Sequence, residues 1–151
     1  MFAHLTSYMN KLRAIPDGWL VLAARLSMAA FFIRSGQTKL NGLELSSSAM
    51  YLFKEEYKVP LLDPQTAAWM AAGAEHLFPI LLIVGLATRL SALALFAMTA
   101  VIQIFVYPGS WPDHLMWAVM LTFIAARGPG PLSLDRVLCR MRDNHKTHPI
   151  T

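Results

Sequence analysis

Four long apolar stretches, separated by short polar or proline-rich breaks, constrain this chain more than any other feature of its sequence. They cover residues 19–40, 65–87, 90–107 and 112–126. A hydrocarbon core about 30 Å thick is crossed by roughly 20 mostly apolar residues in a helix. The first three stretches meet that length or come close. The fourth is short and reaches the interfaces through Trp111, Trp117 or a thinned bilayer. Composition points the same way: 15% of the 151 residues are charged and 56% are hydrophobic. A soluble domain carries about 25% charge, so water could not wet this surface all round. The same numbers exclude a disordered chain, a coiled coil and a collagen-like rod. The one cysteine, Cys139, excludes an internal disulfide, a C-x-x-C redox pair and a Cys-rich zinc site. The first stretch has no small-residue cleavage site and carries Arg25 and Arg34, so it reads as a retained span rather than a signal peptide.

The breaks divide the chain cleanly. Residues 41–64 hold three serines, the charged run Lys54, Glu55, Glu56, Lys58, and two prolines; residues 49–57 within it read as an interfacial amphipathic helix with Tyr51, Leu52 and Phe53 toward the membrane. Thr88-Arg89 is a tight connection. Residues 108–112 form a turn that starts the fourth helix, with Asp113 favourable near its N-terminus. Gly128-Pro129-Gly130-Pro131 stops that helix. No internal repeat is visible.

Lys and Arg fall unevenly about these spans. One side receives Lys11, Arg13, Arg89, Arg127, Arg136, Arg140, Arg142 and Lys146, the other only Lys39, Lys54 and Lys58 with several acids. By the positive-inside rule both termini are cytoplasmic. The net charge of +4 is therefore a topology signal with affinity for anionic lipid, and no nucleic-acid partner is expected. The fold class expected is an all-α integral membrane four-helix bundle with a short amphipathic helix in its first outer loop. Residues 1–17 form a cytoplasmic segment, 18–127 the four-helix domain and 128–151 a basic cytoplasmic tail.

Polar groups inside spans cost about 2.5–3.5 kcal/mol each at a helix centre, so they mark either function or helix pairing. They are Arg25 and Arg34 on the first span, Glu75 and His76 on the second, Gln103 on the third and His114 on the fourth, with Lys39 at the first span's outer end. Counted along antiparallel helices, Glu75 lies roughly 15 Å and Arg34 roughly 9 Å below the outer surface, with Gln103 and His114 within about one turn of it. Four helices thus bring polar groups to the outer half, which predicts one pocket open on that side. Arg25 and Arg34 are nine residues apart, about 180° of helix rotation, so only one can face Glu75. The spacing favours Arg34 and leaves Arg25 as the rival. Each group also has a plainer reading: an Arg–Glu pair as helix glue, His76 and His114 as packed hydrogen-bonding residues, Lys39 as an interface anchor. Met70, Met98, Met116 and Met120 read as core filler. His76, His114 and Glu75 lack an i, i+4 pair, and no metal site is expected.

Three motifs carry a resemblance. Arg25, Phe32, Gly36 and Lys39 form R-x6-F-x3-G-x2-K; Glu75, Gly85, Thr88 and Arg89 form E-x9-G-x2-T-R; residues 128–136 read GPGPLSLDR. In this order, on these helices, the chain resembles the DoxX family of small four-helix membrane proteins. The resemblance implies an inner-membrane protein and names Arg25 among the significant residues. It also implies association with redox assemblies, since the family name is tied to a thiosulfate:quinone oxidoreductase and to terminal-oxidase subunits. Distant relatives are membrane chaperones or cargo receptors. The chain shows no haem-binding pair and no flavin motif.

The leading expectation is a redox-associated subunit, not a stand-alone enzyme, that binds a quinone or other small lipophilic ligand through Arg34, Glu75, His76, His114, Gln103, Arg25 and Lys39, with no covalently bound cofactor. The alternative is a non-enzymatic assembly factor or scaffold contacting a membrane or periplasmic protein through residues 41–64. Both readings admit a homo-oligomer. Transport is disfavoured because no inverted repeat or broken-helix pair is present.

Overall fold

The structure is a computed structural model and describes residues 16–57 and 59–147. Lys11, Arg13 and Lys58, three of the charges used for topology, lie outside the described residues, as does the side chain of Lys146. Four long helices dominate: α1 (Asp17–Lys39), α3 (Pro64–Val84), α4 (Thr88–Val101) and α5 (Trp111–Arg127). α4 continues through a wider π turn, so that Thr88–Val106 runs unbroken for 19 residues. α1, α3 and this extended α4 are long and apolar enough to cross a membrane; α5, with 17 residues, is shorter than each of them.

Local chemistry sets the helix ends. Asp63 caps α3 by accepting a hydrogen bond from the Thr66 N–H at 2.9 Å, with Pro64 in the first turn. Hydrogen bonding to Thr66, through its side chain first and then its N–H, holds the Asp63 carboxyl below its ordinary range. α3 ends at Gly85, whose φ of 70° lies in the left-handed region that glycine alone enters freely. Between α1 and α3 the chain makes a two-residue hairpin, β1 (Leu40–Asn41) with β2 (Glu44–Leu45), and then α2 (Ser47–Tyr51), capped by Ser46 and extended by a π turn over Leu52–Glu56. The amphipathic segment expected at 49–57 is thus helical, with one correction. Phe53 is buried against Ala67 and Ala68 at the start of α3, so it packs on protein, while Tyr51 stays exposed.

The long helices pack side by side, α1 on α3, α3 on α4, α4 on α5 and α5 back on α1. Their shared core is Ala24, Met28, Ala29, Phe32, Leu82, Ala92, Leu95, Leu121 and Ile124. Small residues lie deep in both helices of the α1–α3 pair, with Ala29 on α1 and Ala68 and Ala72 on α3 fully enclosed; without large side chains two backbones approach closely. The outward faces carry exposed Leu26, Leu77, Ile80, Leu93, Phe96, Ile104, Leu115 and Val119. Apolar side chains inside and outside alike are the mark of helices solvated by lipid.

One element was not foreseen. The basic tail contains a further helix, α6 (Leu134–Thr147). Ser133 Oγ accepts a hydrogen bond from the Arg136 N–H at 3.3 Å, and Asp135 serves a different helix. Its Oδ1 and Oδ2 accept from the N–H groups of Ala87 and Thr88 at 2.8 and 2.9 Å, capping α4 from 47 residues away in sequence. The capping stabilises Ala87, a non-glycine residue at φ 47°. Burial raises the Asp135 carboxyl, but the two backbone donors outweigh it and hold the group below its ordinary value. Such a group stabilises the fold above its unfolded pKa, and that contribution is lost as pH falls through the folded value. Asp135→Asn is expected to cost about 1–2 kcal/mol at neutral pH. Thermal unfolding in detergent, followed as pH falls below about 4, should show the gap between wild type and variant closing.

Candidate functional site

A cavity of about 510 Å³ opens among α1, α2, α3, α4 and α5. Lys39 and Glu75 line it, with Lys39 Nζ 2.6 Å from Glu75 Oε2. The contact is a close ion pair that engages Oε2, an oxygen wholly buried from solvent. Ser35 completes the group: its Oγ donates to Glu75 Oε1 at 3.3 Å, and Lys39 Nζ donates to Ser35 Oγ at 3.3 Å. The Glu75 side chain is 2% exposed and that of Lys39 15%, so the carboxylate depends on this lysine for its charge balance. Pro79, one turn further along α3, has no N–H to give the Glu75 carbonyl, so the helix ladder is interrupted at Glu75. Gly36 allows the close approach: a Cβ there would come within 2.7 Å of the His76 ring and 3.1 Å of Glu75 Cβ.

His114, buried near the start of α5, also lines the cavity. Its Nδ1 is 2.6 Å from Gln103 Oε1, and Gln103 Nε2 donates to the Pro108 carbonyl at 2.8 Å. The Pro108 carbonyl can only accept, which fixes the Gln103 amide with its oxygen toward His114. Nδ1 must then carry a proton, which leaves Nε2 as the ring nitrogen that Gln103 does not engage. Aromatic rings fill the wall beside it: His114 lies 4.8 Å from Trp117, and Trp117 4.2 Å from Phe31, centroid to centroid.

Two tyrosines meet at another part of the lining, with Tyr57 Oη and Tyr107 Oη 2.6 Å apart. Each follows a π turn: Tyr57 N–H donates to the Leu52 carbonyl at 2.8 Å and Tyr107 N–H to Ile102 at 2.9 Å. The wider turn, which is frequent at functional sites, swings both rings off their helices toward each other. Burial, and then the hydrogen bond to Tyr107, push the Tyr57 phenol well above its ordinary value, so it stays neutral and keeps its O–H.

The expected residues therefore divide. Lys39, Glu75 and His114 share the cavity, and Gln103 stands behind His114 as its orienting partner. Arg34 is exposed and forms no hydrogen bond or ion pair among the described residues, so the favoured Arg34–Glu75 pairing is replaced by Lys39–Glu75. His76 gives its Nδ1 to the Ala72 carbonyl at 2.7 Å and packs on Gly36, away from the lining. Arg25 is also absent from it. Ser35, Tyr57, Tyr107, Phe31 and Trp117 were missed; a serine one turn before Lys39 was the available signal for Ser35, whereas the aromatics read as interfacial belt.

Arg25 instead holds the opposite end together. It is 1% exposed, and its guanidinium donates to four carbonyls: Nε to Leu82 at 2.7 Å, Nη2 to Ile83 at 2.9 Å, and Nη1 to Pro129 at 2.6 Å and Leu132 at 2.9 Å. Leu82 and Ile83 are terminal carbonyls of α3 that no helical N–H reaches; Pro129 and Leu132 belong to the GPGPLSLDR stretch. Gly85 must be glycine, since a Cβ would meet Arg25 Nη2 at 2.5 Å and Ser133 Cβ at 2.6 Å. The three motifs thus converge on one knot, built from Arg25, Gly85, Thr88 and residues 128–136. The DoxX family profile matches residues 20–108.

The chain belongs to the DoxX family. It is also 31% identical over 137 residues to an uncharacterized protein of Haemophilus influenzae, an overlap covering 85% of this chain and 89% of that one. No solved structure matches. This DoxX protein is a membrane protein by family and by its apolar helices. Of the motif residues, Arg25, Gly85, Thr88 and the 128–136 stretch build the knot at one end, whereas Phe32, Lys39 and Glu75 reach the cavity.

Proposed function

We propose that this DoxX protein is a redox-associated inner-membrane subunit whose cavity binds a quinone or a similar flat, carbonyl-bearing lipophile. The observation that carries the reading is one apolar, aromatic-walled cavity of about 510 Å³ with a cation–carboxylate pair on α1 and α3 and an imidazole on α5. Ligand pockets of about 300–1,000 Å³ with a few placed polar groups are the usual pattern for small-molecule binding. Lys39 Nζ donates to a carbonyl oxygen and balances negative charge that develops on it. His114 Nε2 accepts from the hydroxyl of the reduced form, and the Glu75 carboxylate, paired with Lys39, is a second proton acceptor. Phe31 and Trp117 stack on the ring. Electrons pass to or from a partner subunit. A short-chain ubiquinone titrated against the purified protein, followed by tryptophan quenching, tests this. Lys39→Gln and His114→Phe should each weaken binding at least tenfold; unchanged affinity in both variants would sink the proposal.

All four long helices span the membrane in this reading, with the Arg25 knot cytoplasmic and the cavity toward the periplasm. Arg89 and Arg127 lie at the knot end and Lys39 and Lys54 at the other, which follows the positive-inside rule. Cys139 is exposed and the only cysteine, so a membrane-impermeant maleimide should label it in inverted vesicles and not in spheroplasts. The reverse pattern inverts the topology.

One observation favours the second reading, a scaffold for a partner protein. Leu43 and Leu61 in the loop before α3 are 93% and 101% exposed. If they contact a partner, Leu43→Ser with Leu61→Ser abolishes co-purification while quinone binding persists.

A further inference from the structure

α6 begins at a fixed depth. Asp135 is fastened to the α3–α4 turn by its carboxylate on the Ala87 and Thr88 N–H groups, and its own N–H donates to the Gly85 carbonyl at 2.9 Å. That turn joins two of the helices long and apolar enough to cross a membrane. The first turn of α6 therefore sits where the spans end, at the level of the lipid headgroups. With 14 residues, α6 is too short to cross a bilayer itself.

Its side chains sort by face. Leu134, Val137, Leu138 and Met141 recur at i, i+3, i+4 and i+7 and occupy an arc of about 100°. They are 45%, 44%, 53% and 58% exposed, so no described element covers them. Exposed Arg140 flanks the arc on one side and Arg142 on the other, while Arg136 lies on the far face. Cys139 points the opposite way, about 150° from the centre of the apolar stripe. A stripe of this width edged by arginines is the pattern of a helix lying in a membrane surface, its apolar face among acyl chains and its guanidinium groups on phosphates. A second copy fits less well. Apposing two such stripes would bring the flanking arginines of both copies together, and Asp135 is already committed to capping α4.

We propose that α6 lies in the headgroup layer of the membrane that the protein itself spans, with Leu134, Val137, Leu138 and Met141 in the acyl region and Arg140 and Arg142 on anionic lipid phosphates. The surface selects for lipid charge: each arginine near an anionic leaflet adds attraction that a zwitterionic one does not supply. The pin at Asp135 makes the first turn of α6 and the α3–α4 turn move as one, so the headgroup layer bears directly on the end of the protein that Arg25 ties together.

The sole cysteine makes the test direct. The full chain is placed in nanodiscs of phosphatidylcholine, with or without phosphatidylglycerol. A nitroxide is attached at Cys139 or, in a Cys139→Ser background, at Leu138→Cys, with Val137→Cys as a second apolar-face position. Position 138 should collide with oxygen severalfold more than position 139, and a water-soluble nickel chelate should reach 139 severalfold more than 138. Anionic lipid should widen that contrast, and Arg140→Gln and Arg142→Gln together should remove the widening. Equal access of the chelate to both positions would put α6 in water and overturn the proposal. So would shielding of 137 and 138 from both reagents, which would mean that protein covers the stripe. A contrast indifferent to lipid charge would remove the phosphate contacts.

Discussion

Arg25→Leu is expected to destabilise the protein by about 4 kcal/mol or more, the largest effect of any single substitution outside the cavity. The guanidinium is buried and saturates four carbonyls drawn from the end of α3 and the stretch after α5. Leucine matches much of the apolar volume but donates nothing. Each carbonyl left buried without a donor costs about 1–3 kcal/mol, reduced where water enters from the headgroup side. Arg25→Lys keeps the charge and still fails in part, because an ammonium cannot address four acceptors in the planar fork that the guanidinium provides. The order of stability expected is wild type, then Lys, then Leu, measured by thermal unfolding in a mild detergent. A leucine variant as stable as wild type would mean that the four carbonyls find other donors and that the knot is not what holds α1, α3 and the GPGPLSLDR stretch together.

That role explains why the sequence shows so much of the fold and so much less of the site. Helix positions follow from apolar length and from Gly and Pro punctuation, and the four spans fall within a few residues of the observed helices. The motifs were also visible, yet motifs report which residues cannot change, not why. Arg25 is an intramembrane charge by sequence and a backbone clamp in three dimensions, because its partners are carbonyls, which every residue has and no pattern displays. Glu75 was legible as a buried carboxylate, but its partner was not. Rotation about α1 favoured Arg34, whereas the end of α1 runs beside Glu75 and leaves Lys39, rather than Arg34, within reach. Tyr57 and Tyr107 were hidden for a different reason. Each ring is redirected by a π turn, a departure from helical spacing that no periodic reading anticipates. α6 was passed over since its residues read as charge for topology, and their i, i+3, i+4, i+7 apolar stripe was not weighed against that.

Lys39→Met is expected to cost about 3–5 kcal/mol, because it leaves the Glu75 carboxylate buried with only the Ser35 hydroxyl to serve it. Glu75→Gln is expected to cost about 1 kcal/mol. Lys39 is the more exposed partner and sits in the last turn of α1, so without Glu75 it can reach water. The double variant should be more stable than Lys39→Met alone. This asymmetry separates the two meanings of the pair. If Lys39 and Glu75 serve only to hold α1 against α3, the double variant regains its fold and everything else with it. If they are also the polar end of a ligand site, the double variant unfolds like wild type or close to it and still fails to bind quinone. Unfolding and quinone titration on the same four proteins therefore answer separate questions. Additive costs, with the double variant no better than the sum of the singles, would show that the two charges are not coupled.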